Sequence, residues 1–134
     1  MHYAAEMTAS PAASKSWQID ATGAKGLIWI SFVGPTLSEE IPHFITALTA
    51  AMPESRARLV FDLRRLEGYN PDSKEPFKAW LSEHKLEIEE VVVLVPRARV
   101  IVRMVTAAIA LAVGVKIRIE ETFEGPDSVT RASP

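Results

Sequence analysis

Apolar residues along the chain occur in continuous blocks that alternate with segments in which they recur every three or four positions. The blocks at 27–33, 58–63 and 90–95 read LIWISFV, RLVFDL and EVVVLV. Strands with so few polar positions are usually covered on both faces, as in parallel sheets with helical crossovers. The alternation therefore predicts a small α/β domain, built on a mixed, largely parallel sheet whose strands are joined by helical crossovers.

Two of the intervening segments have the periodicity of a helix that packs one face on a sheet. The residues at helical spacing are Phe44, Ile45, Leu48 and Met52 in the first segment, and Phe77, Trp80, Leu81 and His84 in the second. Aromatic residues at such positions usually belong to the core. We expect this for Trp29 and Trp80, with the wall of a small-ligand pocket as the alternative.

Each of these helices has two candidate start signals. In the first, Thr36 forms a capping box with Glu39, and Ser38 is a competing N-cap. In the second, Asn70 or Asp72 is the cap, and Glu75 would complete a box from Asp72. Pro42 limits the first helix to a start near that residue, because proline fits only the first turn.

Two shorter strands are predicted towards the ends of the chain. Residues 17–20 form the first. Near the other end, Val115, Ile117 and Ile119 alternate with charged residues. Such alternation leaves one face of the strand exposed to solvent. It is typical of an edge strand whose charges discourage pairing with other chains.

The segment 99–113, RVIVRMVTAAIALAV, predicts a third helix that is apolar nearly all round. Its main apolar face is predicted to contain Ile101, Val105, Ala108, Ile109 and Ala112. Further apolar residues, Val102, Met104 and Leu111 among them, spread over the rest. Either the helix is sheltered by its own chain, or Val102, Met104 and Leu111 form a contact surface for a protein partner, such as a second copy in a homodimer.

Length, charge and cysteine content remove several classes of function. The chain has 134 residues, enough for one domain. We assign it to residues 15–124, between disordered tails at 1–14 and 125–134 that are poor in periodic apolar residues. There is no cysteine, which excludes disulfides and thiolate chemistry, and the net charge of −2 lacks the basic surplus of a nucleic-acid binder.

Membrane and export signals are also missing from this sequence. No apolar run reaches the roughly 18 residues of a membrane span. The first residues, MHYAAEMTASPAAS, lack the charged start and apolar core of a secretory signal. A cytoplasmic location is therefore the simplest expectation.

Candidates for chemistry are few. The histidines at 2, 43 and 84 share no motif with one another, so we predict neither a metal site nor catalytic residues, and no cofactor. The six glycines form no phosphate-binding loop. Asp62 ends a buried strand, where open α/β sheets often place ligands. The alternative is that Asp62 orders the following loop and pairs with Arg64 or Arg65.

The order of elements, and the stretch LVFDLRRL at 59–66, resemble a STAS domain, the fold of the anti-sigma-factor antagonists, with Asp62 in the position of the Asp-Leu pair. In regulatory members, a loop of the type Asp-Ser-Ser-Gly opens the next helix, and a kinase phosphorylates its serine. Here Asp72 and Ser73 supply an Asp-Ser pair about two residues later, and Lys74 and Glu75 follow it.

The resemblance implies a non-enzymatic, regulatory protein-interaction module of a bacterial-type cytoplasm, with the α-helix start at Asn70, Asp72 and Ser73 as part of its partner surface. Ser73 is either a phosphorylation site or an ordinary serine of a helix start, where a phosphate would face free amides and the positive end of the helix dipole. A carrier of a small apolar ligand or lipid is the competing function, and an enzyme is the third.

Overall fold

The computed structural model describes residues 12–13, 16–23 and 26–123. These residues form six strands and three α-helices. In chain order they are β1 (Ala12–Ala13), β2 (Trp17–Asp20), β3 (Leu27–Gly34), α1 (Ile41–Ala51), β4 (Ala57–Leu66), α2 (Lys74–His84), β5 (Ile88–Leu94), α3 (Val100–Val113) and β6 (Ile117–Glu120). Short 3-10 turns precede α1 and α2, at Ser38–Glu40 and Pro71–Ser73, and a third, Lys85–Glu87, follows α2.

The strands lie in one sheet in the order in which they occur in the chain. β1, β2 and β3 are antiparallel neighbours, whereas β3, β4, β5 and β6 run parallel. The predicted α/β class with a mixed, largely parallel sheet is thus confirmed. Parallel strands are joined by right-handed crossovers, and here their direction along the sheet never reverses, so the helices of the described residues all pack on one face.

The face of the sheet beneath the helices carries the main hydrophobic core. Phe44 and Leu48 of α1 pack there with Leu81 of α2 and Ile109 of α3. The strand residues beneath them are Ile28, Ile30, Leu59, Phe61, Val91 and Val93. The apolar faces predicted for α1 and α2 are therefore confirmed.

The opposite face of the sheet has its own apolar cluster: Leu27, Trp29, Val60, Val92, Leu94 and Phe123. These residues are buried, so the strands are covered on both faces as expected, although the helices of the described part of the chain lie on one face only. The reason is the unreversed strand order, which the apolar pattern of single strands does not reveal.

Both tryptophans assigned to packing are buried, as predicted. The ring of Trp29 meets that of Phe123 edge-on, with centroids 5.9 Å apart. The indole Nε1 of Trp80 donates to Thr49 Oγ1 at 2.9 Å. The ring of Trp80 stacks on that of His84, with centroids 4.5 Å apart.

The start of α1 differs from both predictions. Neither the Thr36–Glu39 box nor a Ser38 cap forms, and α1 begins at Ile41 with no side-chain cap. The physical reason is that the hydroxyl of Ser38 is bonded instead to Asp72 of the next helix start. A 3-10 turn at Ser38–Glu40 occupies the place of the predicted first turn.

Of the two predicted caps, Asn70 forms one, but for the 3-10 turn Pro71–Ser73 that leads into α2: its Oδ1 accepts from the backbone N–H of Asp72 at 2.9 Å. α2 itself follows Ser73 with no side-chain cap. The box between Asp72 and Glu75 is wrong: the carboxylate of Glu75 pairs with Lys78, at 3.5 Å, one turn along the helix.

The rotation of α3 also differs from the prediction. Its buried residues are Val102, Ile109 and Val113, whereas Ile101, placed on the inward face by the sequence, is 63% exposed. A helix that is apolar all round offers no polar stripe to fix its rotation. The expectation that Val102 belongs to an exposed contact surface is therefore wrong.

Among the described residues, β1 and β6 form the two edges of the sheet. The edge strand predicted from Val115, Ile117 and Ile119 is confirmed over Ile117–Glu120, and Arg118 on it pairs with Glu90 of the neighbouring strand. Strand β1 lies within the N-terminal tail predicted for residues 1–14, so that prediction is wrong at Ala12 and Ala13. The rest of that tail and the tail predicted at 125–134 lie outside the described residues.

Candidate interaction surface

A polar network ties the start of α2 to the turn before α1. Asn70 Nδ2 donates to the carbonyl of Thr36 at 2.8 Å and to Ser38 Oγ at 3.1 Å. Ser38 Oγ in turn donates to Asp72 Oδ2 at 2.7 Å. Asn70 Oδ1 also accepts from the backbone N–H of Asp72. The side-chain amide of Asn70 is therefore hydrogen-bonded through both its oxygen and its nitrogen. The predicted surface residues Asn70 and Asp72 are thus held rigidly, by partners more than thirty positions away.

Ser73 lies at the junction of the 3-10 turn and α2. Its Oγ donates to the carbonyl of Asn70 at 2.7 Å, and its backbone N–H donates to the same carbonyl at 3.0 Å. The side chain is half-buried and lines a cavity beneath the helix. A phosphate on Ser73 would lose the bond to Asn70 and would have to leave this position.

The cavity lies between the helices and the sheet and has a volume of about 110 Å³. Most of its wall is aromatic or aliphatic, from Trp17, Phe32, Phe44, Phe61, Phe77, Val93 and Ile109. Polar side chains line it near the starts of α1 and α2, at Thr36, Glu40, Ser73 and Lys74, and in the middle of α3, at Thr106. The sequence did not predict this space, because residues of every helix and several strands contribute to it.

Tyr69, in the loop before α2, borders both this cavity and a shallow groove against the start of α3. Burial raises the pKa of the Tyr69 hydroxyl above its ordinary value, and the carboxylate of Glu75 raises it further. The groove runs between Gly68–Tyr69 and Ala98–Val102. The loop that leads into α2 and the start of α3 therefore face each other across this groove.

The outer face of α3 is apolar and exposed. Met104 is 65% exposed and Leu111 is 88% exposed. Val100 and Ile101 are also exposed. Val102, with only 7% exposure, points into the core and lies outside this surface. Met104 and Leu111 are thus where the sequence placed them, and Ile101 joins them in place of Val102.

Asp62 lies inside β4, which continues to Leu66, so the prediction that Asp62 ends the strand and orders a following loop is wrong, whereas its predicted pairing with an arginine is confirmed. Its Oδ1 accepts from the backbone N–H and Nε of Arg64, at 3.1 and 2.9 Å, and its Oδ2 accepts from Nη2 at 2.9 Å. These hydrogen bonds raise the pKa of Arg64 above its ordinary value. The carboxylate is thus engaged by Arg64, which is the partner expected from the sequence.

Residues 12–13, 16–23 and 26–123 contain no cluster of three or more histidine or acidic side chains able to hold a metal ion. His43 is exposed on α1. His84 stacks on Trp80, and its Nδ1 lies 3.1 Å from Glu87 Oε1. Within the same part of the chain, no helix is both long enough and apolar enough to cross a membrane.

No protein-family model and no curated protein matches this sequence. A solved structure does: a protein of the DUF3478 family from Shewanella loihica PV-4, described as having a SpoIIAA-like fold. The TM-score is 0.52 at 12% sequence identity, and the match covers 91% of this chain and 90% of the other. At this identity the similarity concerns the fold alone. The fold is thus SpoIIAA-like, which is the STAS type that the sequence suggested.

Proposed function

We propose that this protein is a non-enzymatic interaction module that regulates a protein partner, in the manner of the STAS anti-sigma-factor antagonists, in a bacterial-type cytoplasm. One observation carries the proposal: α3 exposes four large apolar side chains, Val100, Ile101, Met104 and Leu111. Large apolar side chains grouped on a surface mark contact sites more often than single ones do.

The α2 start supports the proposal because it forms a rigid border to this apolar face. The groove between Gly68–Tyr69 and Ala98–Val102 joins the two. Asn70, Ser38 and Asp72 are already bonded to one another, so a partner would meet a fixed arrangement of polar groups. An interface with an apolar centre and a polar rim has this composition.

We propose further that binding does not depend on phosphorylation of Ser73. The hydroxyl of Ser73 is half-buried and bonded to the Asn70 carbonyl, so it serves the geometry of the helix start. A phosphate there would also stand between Asp72 and Glu75, whose carboxylates repel it.

The test is native mass spectrometry of the protein purified from its own cell. The wild type should retain a partner chain, and the double variant Met104→Glu, Leu111→Glu should lose it. Leu86→Glu is the matched control, because Leu86 is equally exposed and lies outside α3, in the turn Lys85–Glu87. A partner retained by the double variant would contradict the proposed surface.

The apolar cavity favours a second candidate function, the binding of a small apolar ligand. The volume of the cavity, about 110 Å³, limits the size of such a ligand. An engineered cavity of about 150 Å³ holds a single benzene molecule, so the ligand would be no larger than benzene. A lipid chain does not fit unless the helices separate. Benzene added to a ¹⁵N-labelled sample should shift the amides of Phe44, Phe77 and Ile109 if the cavity accepts it, and unchanged amides would exclude ligands of the size of benzene or larger.

A further inference from the structure

The exposed apolar residues of α3 have the spacing of a coiled-coil seam. Ile101, Met104, Ala108 and Leu111 are separated by three, four and three positions, as in the a and d positions of a heptad. All four are exposed. The seam lies opposite the buried stripe of Val102, Ile109 and Val113, so α3 has one face for its own core and a second, equally regular face that the described residues leave uncovered.

The seam is symmetric about its centre. Ile101 and Leu111 lie equally far from position 106, and so do Met104 and Ala108. In an antiparallel pair of α3 helices related by a two-fold axis, Ile101 of each copy would therefore meet Leu111 of the other. Met104 would meet Ala108, so that a long side chain fills the space left by a small one. A self-complementary patch of this kind is what an isologous dimer requires.

We propose, building on the interaction module above, that the partner of this surface is a second copy of the same chain, with the two α3 helices packed antiparallel along this seam. The contact is isologous, and each copy supplies the same four side chains.

Charge favours the antiparallel direction. Arg97 and Arg99 precede α3 at its positive end, and no acidic residue occurs in its first turn. The last turn carries no basic residue to offset the negative end. Antiparallel packing sets the positive end of each helix, with its arginines, beside the negative end of the other. Parallel packing would bring the arginines of both copies together.

The size of the seam sets the strength of the dimer. α3 has 14 residues, so the contact can extend for about 21 Å. One helix from each copy falls short of the roughly 800 Å² per partner that stable interfaces bury. We therefore expect a reversible dimer with a dissociation constant in the micromolar range, which depends on protein concentration.

The test uses cysteine cross-linking, for which the cysteine-free chain is suited. Ile101→Cys and Leu111→Cys chains are prepared separately and oxidised alone or mixed. In the antiparallel dimer, the mixture should form disulfide-linked dimers. Each variant alone should not, because identical positions lie about 15 Å apart along the axis, beyond the roughly 7 Å that a disulfide allows between Cα atoms.

Sedimentation of the wild type separates the remaining outcomes. Dimers that fail to cross-link in the mixture, or that cross-link in each variant alone, would overturn the antiparallel seam. A wild type that is monomeric at every concentration would overturn self-association. In that last case, a different chain retained in native mass spectrometry, and lost in Met104→Glu, Leu111→Glu, would leave the interaction module standing. With no such chain, both proposals fail.

Discussion

Replacing Asn70 is the sharpest test of the rigid border at the α2 start, because one side chain makes three hydrogen bonds there. Asn70→Ala removes the cap of the 3-10 turn that leads into α2, worth about 1 kcal/mol. It also removes the half-buried bond to the Thr36 carbonyl, worth about 1 kcal/mol. The bond to Ser38 is exposed and adds little. We expect the free energy of unfolding to fall by about 2 kcal/mol in all.

Two matched variants separate the cap from the bridge between helix starts. Asn70→Ser keeps an acceptor for the Asp72 amide but loses the side-chain NH₂ that donates to Thr36 and Ser38, so it should cost about 1 kcal/mol. Ser38→Ala keeps the cap and the Thr36 bond, and should cost about 0.5 kcal/mol or less because its bonds are exposed.

The assay is urea denaturation followed by tryptophan fluorescence, with the slope of the transition checked for equality among variants. The order of stability should be wild type, Ser38→Ala, Asn70→Ser, Asn70→Ala. If Asn70→Ala lost less than about 0.5 kcal/mol, as exposed substitutions usually do, Asn70 would not hold the two helix starts together.

Three further substitutions test other parts of the account. Asp62→Asn should lower the free energy of unfolding by about 1 kcal/mol in urea denaturation, because the hydrogen bonds between Asp62 and the Arg64 guanidinium are charge-assisted but Arg64 is 40% exposed. An unchanged free energy of unfolding would show that this ion pair does not stabilise the fold. Val102→Ala should lower the free energy of unfolding by about 2 kcal/mol, whereas Met104→Ala should change it by less than about 0.5 kcal/mol, and equal losses would contradict the rotation of α3. Ser73→Glu and Ser73→Ala should both associate like the wild type in sedimentation, and weaker association of Ser73→Glu alone would restore the phosphorylation switch.

The order of strands and helices could be predicted because the central strands are almost wholly apolar and the first two helices have one clear apolar face. Phe44, Leu48, Trp80 and Leu81 all lie in the core as their spacing indicates. β1 could not be predicted, because two alanines carry neither alternation nor strand propensity.

The candidate surface could be predicted only in part. Met104 and Leu111 are exposed as expected, but the rotation of α3 is set by what lies beneath it, and a helix without a polar stripe does not encode that in its own residues. The bond between Ser38 and Asp72 spans 34 positions. Neither residue carries a local signal of the other, so the link between helix starts required the folded chain.

Oxidative footprinting of Met104 tests the central claim, that the outer face of α3 is a contact surface, most directly. The assembly purified from the cell is exposed briefly to hydroxyl radicals, and the same protein is treated after dilution to the monomer. Met52, half-buried against the core, serves as the internal reference. The account predicts that Met104 is protected in the assembly and oxidised in the monomer, while Met52 is unchanged. Oxidation of Met104 at the same rate in both states would contradict it.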